Sequence, residues 1–208
     1  MSRVDLNQVW KIYPRGNVVA VKELTFTCAD KEFLAIVGPS GSGKTELICR
    51  LLDWFVHQGL QVAVLKHTHH RDLGDRGKDT WRFRQAGARV VALAGPGLLQ
   101  ITRTYPEEPQ LAAALAELAS GVDLILVEGY KSGSLPKIVV LNPEIKESPP
   151  QYTQVIATVS QGQTGLAGPV FQPEEVEAIG ALIRAHLGLA ESAAVRPGLA
   201  RPEKCGSD

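Results

Sequence analysis

The chain has 208 residues, 44% hydrophobic and 21% charged, which is enough for one α/β core with a small addition and too few for two large domains. Lysines and arginines number 22 and acids also 22, so the formal net charge is zero and no global field favours nucleic acid or an anionic membrane as the main partner. No apolar run approaches the ~20 residues of a membrane span, and Arg3, Asp5 and Lys11 interrupt any signal-peptide core at the amino terminus, which leads us to expect a cytoplasmic protein.

From residue 33 the elements read in order. Phe33–Val37 is an apolar strand that runs into Gly38-Pro-Ser-Gly-Ser-Gly43-Lys44-Thr45, the pattern of a phosphate-binding loop (Walker A) in its proper context. Its glycines let backbone N–H groups converge, the following helix presents its positive dipole end, and Lys44 adds a full charge. The expected nucleotide-binding residues are Gly38, Ser40, Gly41, Ser42, Gly43, Lys44 and Thr45, with the Thr45 hydroxyl on Mg²⁺. After the loop, Leu47, Ile48, Leu51, Leu52, Phe55 and Val56 recur at helical spacing, and Gly59 suits a left-handed stop.

Gln61–Lys66 predicts a short strand, followed by helical stretches near 78–87 and 107–120 and strands at Arg89–Ala94, Asp123–Val127, Lys137–Leu141 and Gln154–Val159. A last helix is expected from Pro173, with Glu174 and Glu175 in its first turn and Arg184 and His186 in its last. Strands alternating with helices predict a mainly parallel sheet covered on both faces, with its ligand site at the carboxyl ends of the strands. Residues 190–208, rich in Pro and Gly, read as a mobile tail. Cys28, Cys49 and Cys205 have neither disulfide nor zinc spacing, and Cys49 is expected to pack within the first helix.

Two further segments belong to the expected site. Asp123-Leu-Ile-Leu-Val-Glu128-Gly129-Tyr130-Lys131 is a buried strand ending in an acid, which makes Glu128 the candidate for a metal-bound or attacking water and, with Lys44, the catalytic pair. Asp123, at the opposite end of that strand, reads as structural. Lys66, Lys78, Arg82 and Arg84 are candidates for phosphate contact, with a solvated basic face as the alternative. His67, His69 and His70 read as substrate contacts or loop-ordering groups rather than a transition-metal site, since no cysteine lies nearby. The cis arginine candidates for phosphoryl transfer are Arg71, Arg76 and Arg82.

The phosphate loop, Lys66-His-Thr-His-His70, Gly77-Lys-Asp-Thr-Trp-Arg-Phe-Arg-Gln-Ala-Gly-Ala88, Leu126-Val-Glu-Gly-Tyr-Lys131 and Leu135-Pro-Lys-Ile138 together resemble the molybdopterin-guanine dinucleotide biosynthesis protein B family, MobB. The resemblance runs from about Phe33 to Leu187. It implies a homodimeric GTP-binding protein with Mg²⁺ and weak hydrolysis, assisting the MobA-type guanylyltransferase that attaches GMP to molybdopterin. Without it, the residues support a Mg²⁺-nucleotide-binding α/β domain.

Residues 1–32 do not fit that family. Arg3–Pro14 and Val19–Thr27 resemble the start of an ABC-transporter ATPase, where two antiparallel strands precede the loop and an aromatic at the Tyr13 position stacks on adenine. No Leu-Ser-Gly-Gly-Gln segment follows, so an ABC-type ATPase fragment is the weaker reading, as is a small-molecule kinase, for which no acceptor-binding pattern is visible. Guanine recognition favours a carboxylate, whereas Ala157-Thr-Val-Ser-Gln-Gly-Gln163 offers only amide carbonyls, so ATP stays open beside GTP. The expected architecture is an α/β P-loop NTPase: an N-terminal antiparallel strand extension (1–32), a nucleotide-binding domain (33–189) and the tail (190–208).

Overall fold

The computed structural model of the chain describes residues 4–13, 18–28, 33–70, 73–145, 151–162, 164–166 and 168–189. The expected tail, the stacking role of the Tyr13 side chain, Arg71 and Gln163 lie outside the described residues. Strands β1 (Val4–Tyr13) and β2 (Val18–Cys28) form the expected antiparallel pair, Val4 opposite Cys28 and Tyr13 opposite Val18.

Strand β3 (Phe33–Val37) is buried along its whole length, as its unbroken apolar run requires of a central parallel strand. Helix α1 (Lys44–His57) follows the loop and buries Leu47, Ile48, Leu51 and Phe55 as one stripe. It stops as Gly59 suggests. Gly59 N–H donates to Val56 O and Leu60 N–H to Phe55 O, a Schellman closure in which buried Leu60 covers the last turn. Cys49 falls off the stripe and is exposed, so the expectation that it packs is corrected.

Strand β4 (Val62–Lys66) comes next, then helix α2 (Asp79–Gln85) and strands β5 (Val90–Gly95) and β6 (Leu98–Arg103). Helix α3 (Leu111–Leu118), strands β7 (Leu124–Glu128), β8 (Lys137–Leu141), β9 (Val155–Ser160) and β10 (Val170–Phe171), and helix α4 (Val176–Leu187) complete the order. The sheet is six-stranded and parallel, ordered β10-β9-β8-β3-β7-β4. Leu34, Ile36, Leu126, Ile138 and Val159 point to the face where α1 packs against α4 through Phe55, Ile179 and Ile183. Fully burying each such side chain contributes about 1.5–3 kcal/mol.

The chain divides into two compact units, one formed by residues 1–67 and 115–208, the other by residues 68–114. In the second, β5 does not join the parallel sheet as its apolar run predicts. It pairs antiparallel with β6 across the two-residue turn Pro96-Gly97, Gly95 opposite Leu98. Helices α3 and α4 also start later than expected. Pro109 disfavours helical backbone just before it, and Gln172 N–H donates to the Glu175 carboxylate at 2.6 Å, so the chain turns at 173–174 and Glu177, not Glu174 or Glu175, occupies the first turn of α4.

One buried residue is unexpected for its type. Strands β7 and β8 lie on opposite sides of β3, joined by residues 129–136 with no helix, a short connection for parallel strands. Lys137, fully buried and paired with Ala35, donates from Nζ to Gly133 O at 2.5 Å and to Leu135 O at 3.0 Å. Those carbonyls, on partly buried residues, lie outside the sheet ladder, and the ammonium in turn gains the acceptors that a buried charge needs. Burial lowers the Lys137 pKa below the ordinary lysine value. Lys137→Ala should remove both bonds and the packed stem, lowering stability by about 2–4 kcal/mol in urea titration; an unchanged midpoint would show that the connection holds itself.

Candidate nucleotide site

The parallel register brings three strand ends together. Lys66 at the end of β4 pairs with Glu128 at the end of β7, and Glu128 pairs with Ile36 just before the glycine-rich loop. Gly38, Gly41 and Gly43 adopt φ of 154°, 77° and 91°, backbone that side chains disfavour. Gly38 is further constrained by space, because a Cβ there would stand 2.1 Å from the Val140 carbonyl oxygen. The first loop glycine therefore exists partly to let β8 pass.

Gly43 caps α1 without a side-chain bond, leaving the helix N-terminus to the loop. Ser42 is buried and Ser40 exposed. The Lys44 ammonium folds back over the loop, donating to Pro39 O and lying 3.4 Å from Ser42 Oγ. Burial pushes its pKa below 10.5, with Glu128 opposing the shift and Lys131 and Lys66 adding to it.

Thr45 Oγ1 donates to Glu128 Oε2 at 3.1 Å, and the Lys66 ammonium lies 3.2 Å from Glu128 Oε1. The expected metal pair, Thr45 and Glu128, is thus brought into contact across 83 residues. A hydroxyl and a carboxylate are hard oxygen donors of the kind that Mg²⁺ takes together with phosphate oxygens, so the residues present fit that ion. Lys44, Lys66 and Lys131 around a single carboxylate leave a local positive excess, which favours a polyanion.

The remaining candidates separate. His67 N–H donates to Glu128 O at 2.8 Å, and its ring lies 4.4 Å from that of Tyr130, which has a φ of 51°. Gly129 between them is required, since a Cβ there would meet His67 Cβ at 2.9 Å. His67 thus orders the turn after Glu128, while His69 and His70 are exposed in the second unit. Within that unit Arg84 is committed to buried Asp75, its Nη2 lying 2.5 and 2.6 Å from the two carboxylate oxygens, and Arg82 lies 3.7 Å from Asp79. Lys78 N–H donates to Asp75 O, so this motif builds the entry to α2. Asp123 is structural as expected, its carboxylate accepting from Gln61 N–H at 2.8 Å.

Beside the loop opens a cavity of about 170 Å³, lined by Ser42, Leu47, Val140, Asn142, Gln161 and Pro173 among others. Lys131 and Tyr130 were not singled out as site residues by sequence reasoning. Their signal lay in following directly on a strand-end acid.

A parallel sheet with a glycine-rich loop at its central strand, a threonine opening the next helix and an acid on the neighbouring strand define a P-loop NTPase-like fold. Residues 33–161 match the family described as molybdopterin guanine dinucleotide synthesis protein B, MobB. The chain is 34% identical over 129 residues to the molybdopterin-guanine dinucleotide biosynthesis adapter protein of Haemophilus influenzae, covering 61% of this chain and 72% of that protein. It is 31% identical to the corresponding Escherichia coli adapter protein, covering 70% and 87%. A solved molybdopterin-guanine biosynthesis protein B superposes with a TM-score of 0.61 at 30% identity, covering 74% of this chain and 98% of that one. The chain belongs to the MobB family. A short N-terminal stretch instead resembles ABC ATP-binding subunits, being 53% identical over 45 residues to a trehalose import ATP-binding protein of Mycobacterium tuberculosis, 22% of this chain and 11% of that one.

Gly38→Ala should cost more than about 2 kcal/mol of stability, because backbone rather than a flexible side chain must give way. Thermal unfolding of the variant would check it, and native behaviour would refute the tight packing of loop on β8.

Proposed function

We propose that the protein is a GTP- and Mg²⁺-binding accessory factor with weak hydrolysis that assists a MobA-type guanylyltransferase in building molybdopterin guanine dinucleotide. The observation that carries this reading is the contact of Thr45 with Glu128 beneath a loop bearing Lys44. Gly41, Ser42, Gly43 and Lys44 hold the β- and γ-phosphates, and Gly38 and Ser40 shape the loop around them. Thr45 and Glu128 would hold Mg²⁺, which when bound would neutralise charge on the phosphates. Glu128 also orients the attacking water. Arg50, which lines the cavity beside the loop, is paired with Glu46 at 2.8 Å, so turnover is slow unless a partner supplies an arginine.

The base enters the cavity beside the loop, with Gln161 as an uncharged acceptor for guanine. The ABC-like N-terminal stretch is the one observation favouring ATP. Lys44→Ala should weaken GTP binding about 10- to 150-fold in titration calorimetry with Mg²⁺, the loss of charge-assisted hydrogen bonds, with GTP outcompeting ATP on the native protein. Undiminished affinity in the variant contradicts the loop assignment, and preference for ATP moves the function toward the ABC-like reading.

The family's relatives are named adapter proteins, and adapters act by contact. We infer a homodimer through the β5–β6 hairpin. It is a two-stranded ribbon, marginal alone, yet it exposes Leu93, Leu98, Leu99 and Ile101 by 56–73% on its two faces. Leu99→Asp combined with Ile101→Asp, on one face, should convert the dimer to a monomer in light scattering; a native protein already monomeric would sink the inference.

A further inference from the structure

We propose that Lys66 makes this site discriminate a nucleoside triphosphate from a diphosphate, its ammonium exchanging between the two metal-binding oxygens and the terminal phosphate. The inference rests on the nucleotide-binding reading above and adds a residue with a separate role. Lys66 Nζ lies 3.2 Å from Glu128 Oε1 and 3.5 Å from Thr45 Oγ1. The same carboxylate accepts from Thr45 through its other oxygen. Thr45, Glu128 and Lys66 therefore close a triangle in which one cation serves both oxygens.

A divalent ion on those oxygens and an ammonium beside them repel each other, so the two cations compete for one position. The two lysines of the site differ in their freedom to yield. Lys44 is half-buried and held by Pro39 O and Ser42 Oγ, whereas the Lys66 side chain is 58% exposed on a flexible four-carbon stem and Glu128 is 12% exposed. Lys66 is the cation that moves. With a triphosphate, the displaced ammonium would find the terminal phosphate beside it. With a diphosphate it finds no such anion and stays as a competitor of the metal. Lys44 and the loop amides bind both nucleotides, so discrimination falls to Lys66.

The test is calorimetric titration of native protein, Lys66→Gln and Lys66→Arg with GDP and with guanylyl imidodiphosphate, each across a series of Mg²⁺ concentrations. Lys66→Gln should weaken the triphosphate analogue about 10-fold or more while GDP affinity stays within about 2-fold, the loss of one charge-assisted bond made to one ligand only. The Mg²⁺ concentration needed for half-maximal GDP binding should fall, and Lys66→Arg should restore the discrimination. Equal weakening of both nucleotides, or an unchanged ratio and Mg²⁺ requirement, overturns the role of Lys66 and leaves the functional reading standing. Native protein that binds neither nucleotide overturns both.

Discussion

The architecture turns on the pairing of β3 with a parallel neighbour on each side. With β7 on one edge and β8 on the other, the central strand has no exposed backbone and no polar side chain, and it leaves the sheet at Gly38. That exit is where a parallel sheet gathers its strand ends, so the polar residues excluded from the core collect there. Lys66, Glu128 and Thr45 meet because register aligns the first two and the loop delivers the third. The meeting of Lys66 with Glu128 is thus set by backbone pairing.

Much of this was legible in the residues. Phe33–Val37 and Asp123–Val127 read as buried strands, and Lys137–Leu141 as a further strand, because apolar runs of that length have few other solutions, and the stripe of α1 with its Gly59 stop is a local signal. The position of Glu128 beside the loop followed from an acid ending such a strand. The hairpin was not legible in the same way. Val90–Ala94 has the composition of an interior strand, and only Pro96-Gly97 followed by Leu98 marks it as half of a ribbon. The partnership of Asp75 with Arg84 was hidden too, since a basic cluster near a phosphate loop resembles an anion site until its acid is located.

The N-terminal pair presents a different case. Its sequence resembles another branch of phosphate-loop proteins, and β1 and β2 pair with each other as that resemblance implies. The family match begins at Phe33.

The connection between β7 and β8 has a consequence for how this protein can vary. Residues 129–136 must pass from one flank of β3 to the other and present Gly133 and Leu135 to a lysine whose position is fixed within a strand. A residue gained or lost there would shift the carbonyls away from Nζ and drag on the turn carrying Glu128. Length is therefore locked at this link, and the sheet's central strand keeps both of its neighbours only while those residues are counted out in full.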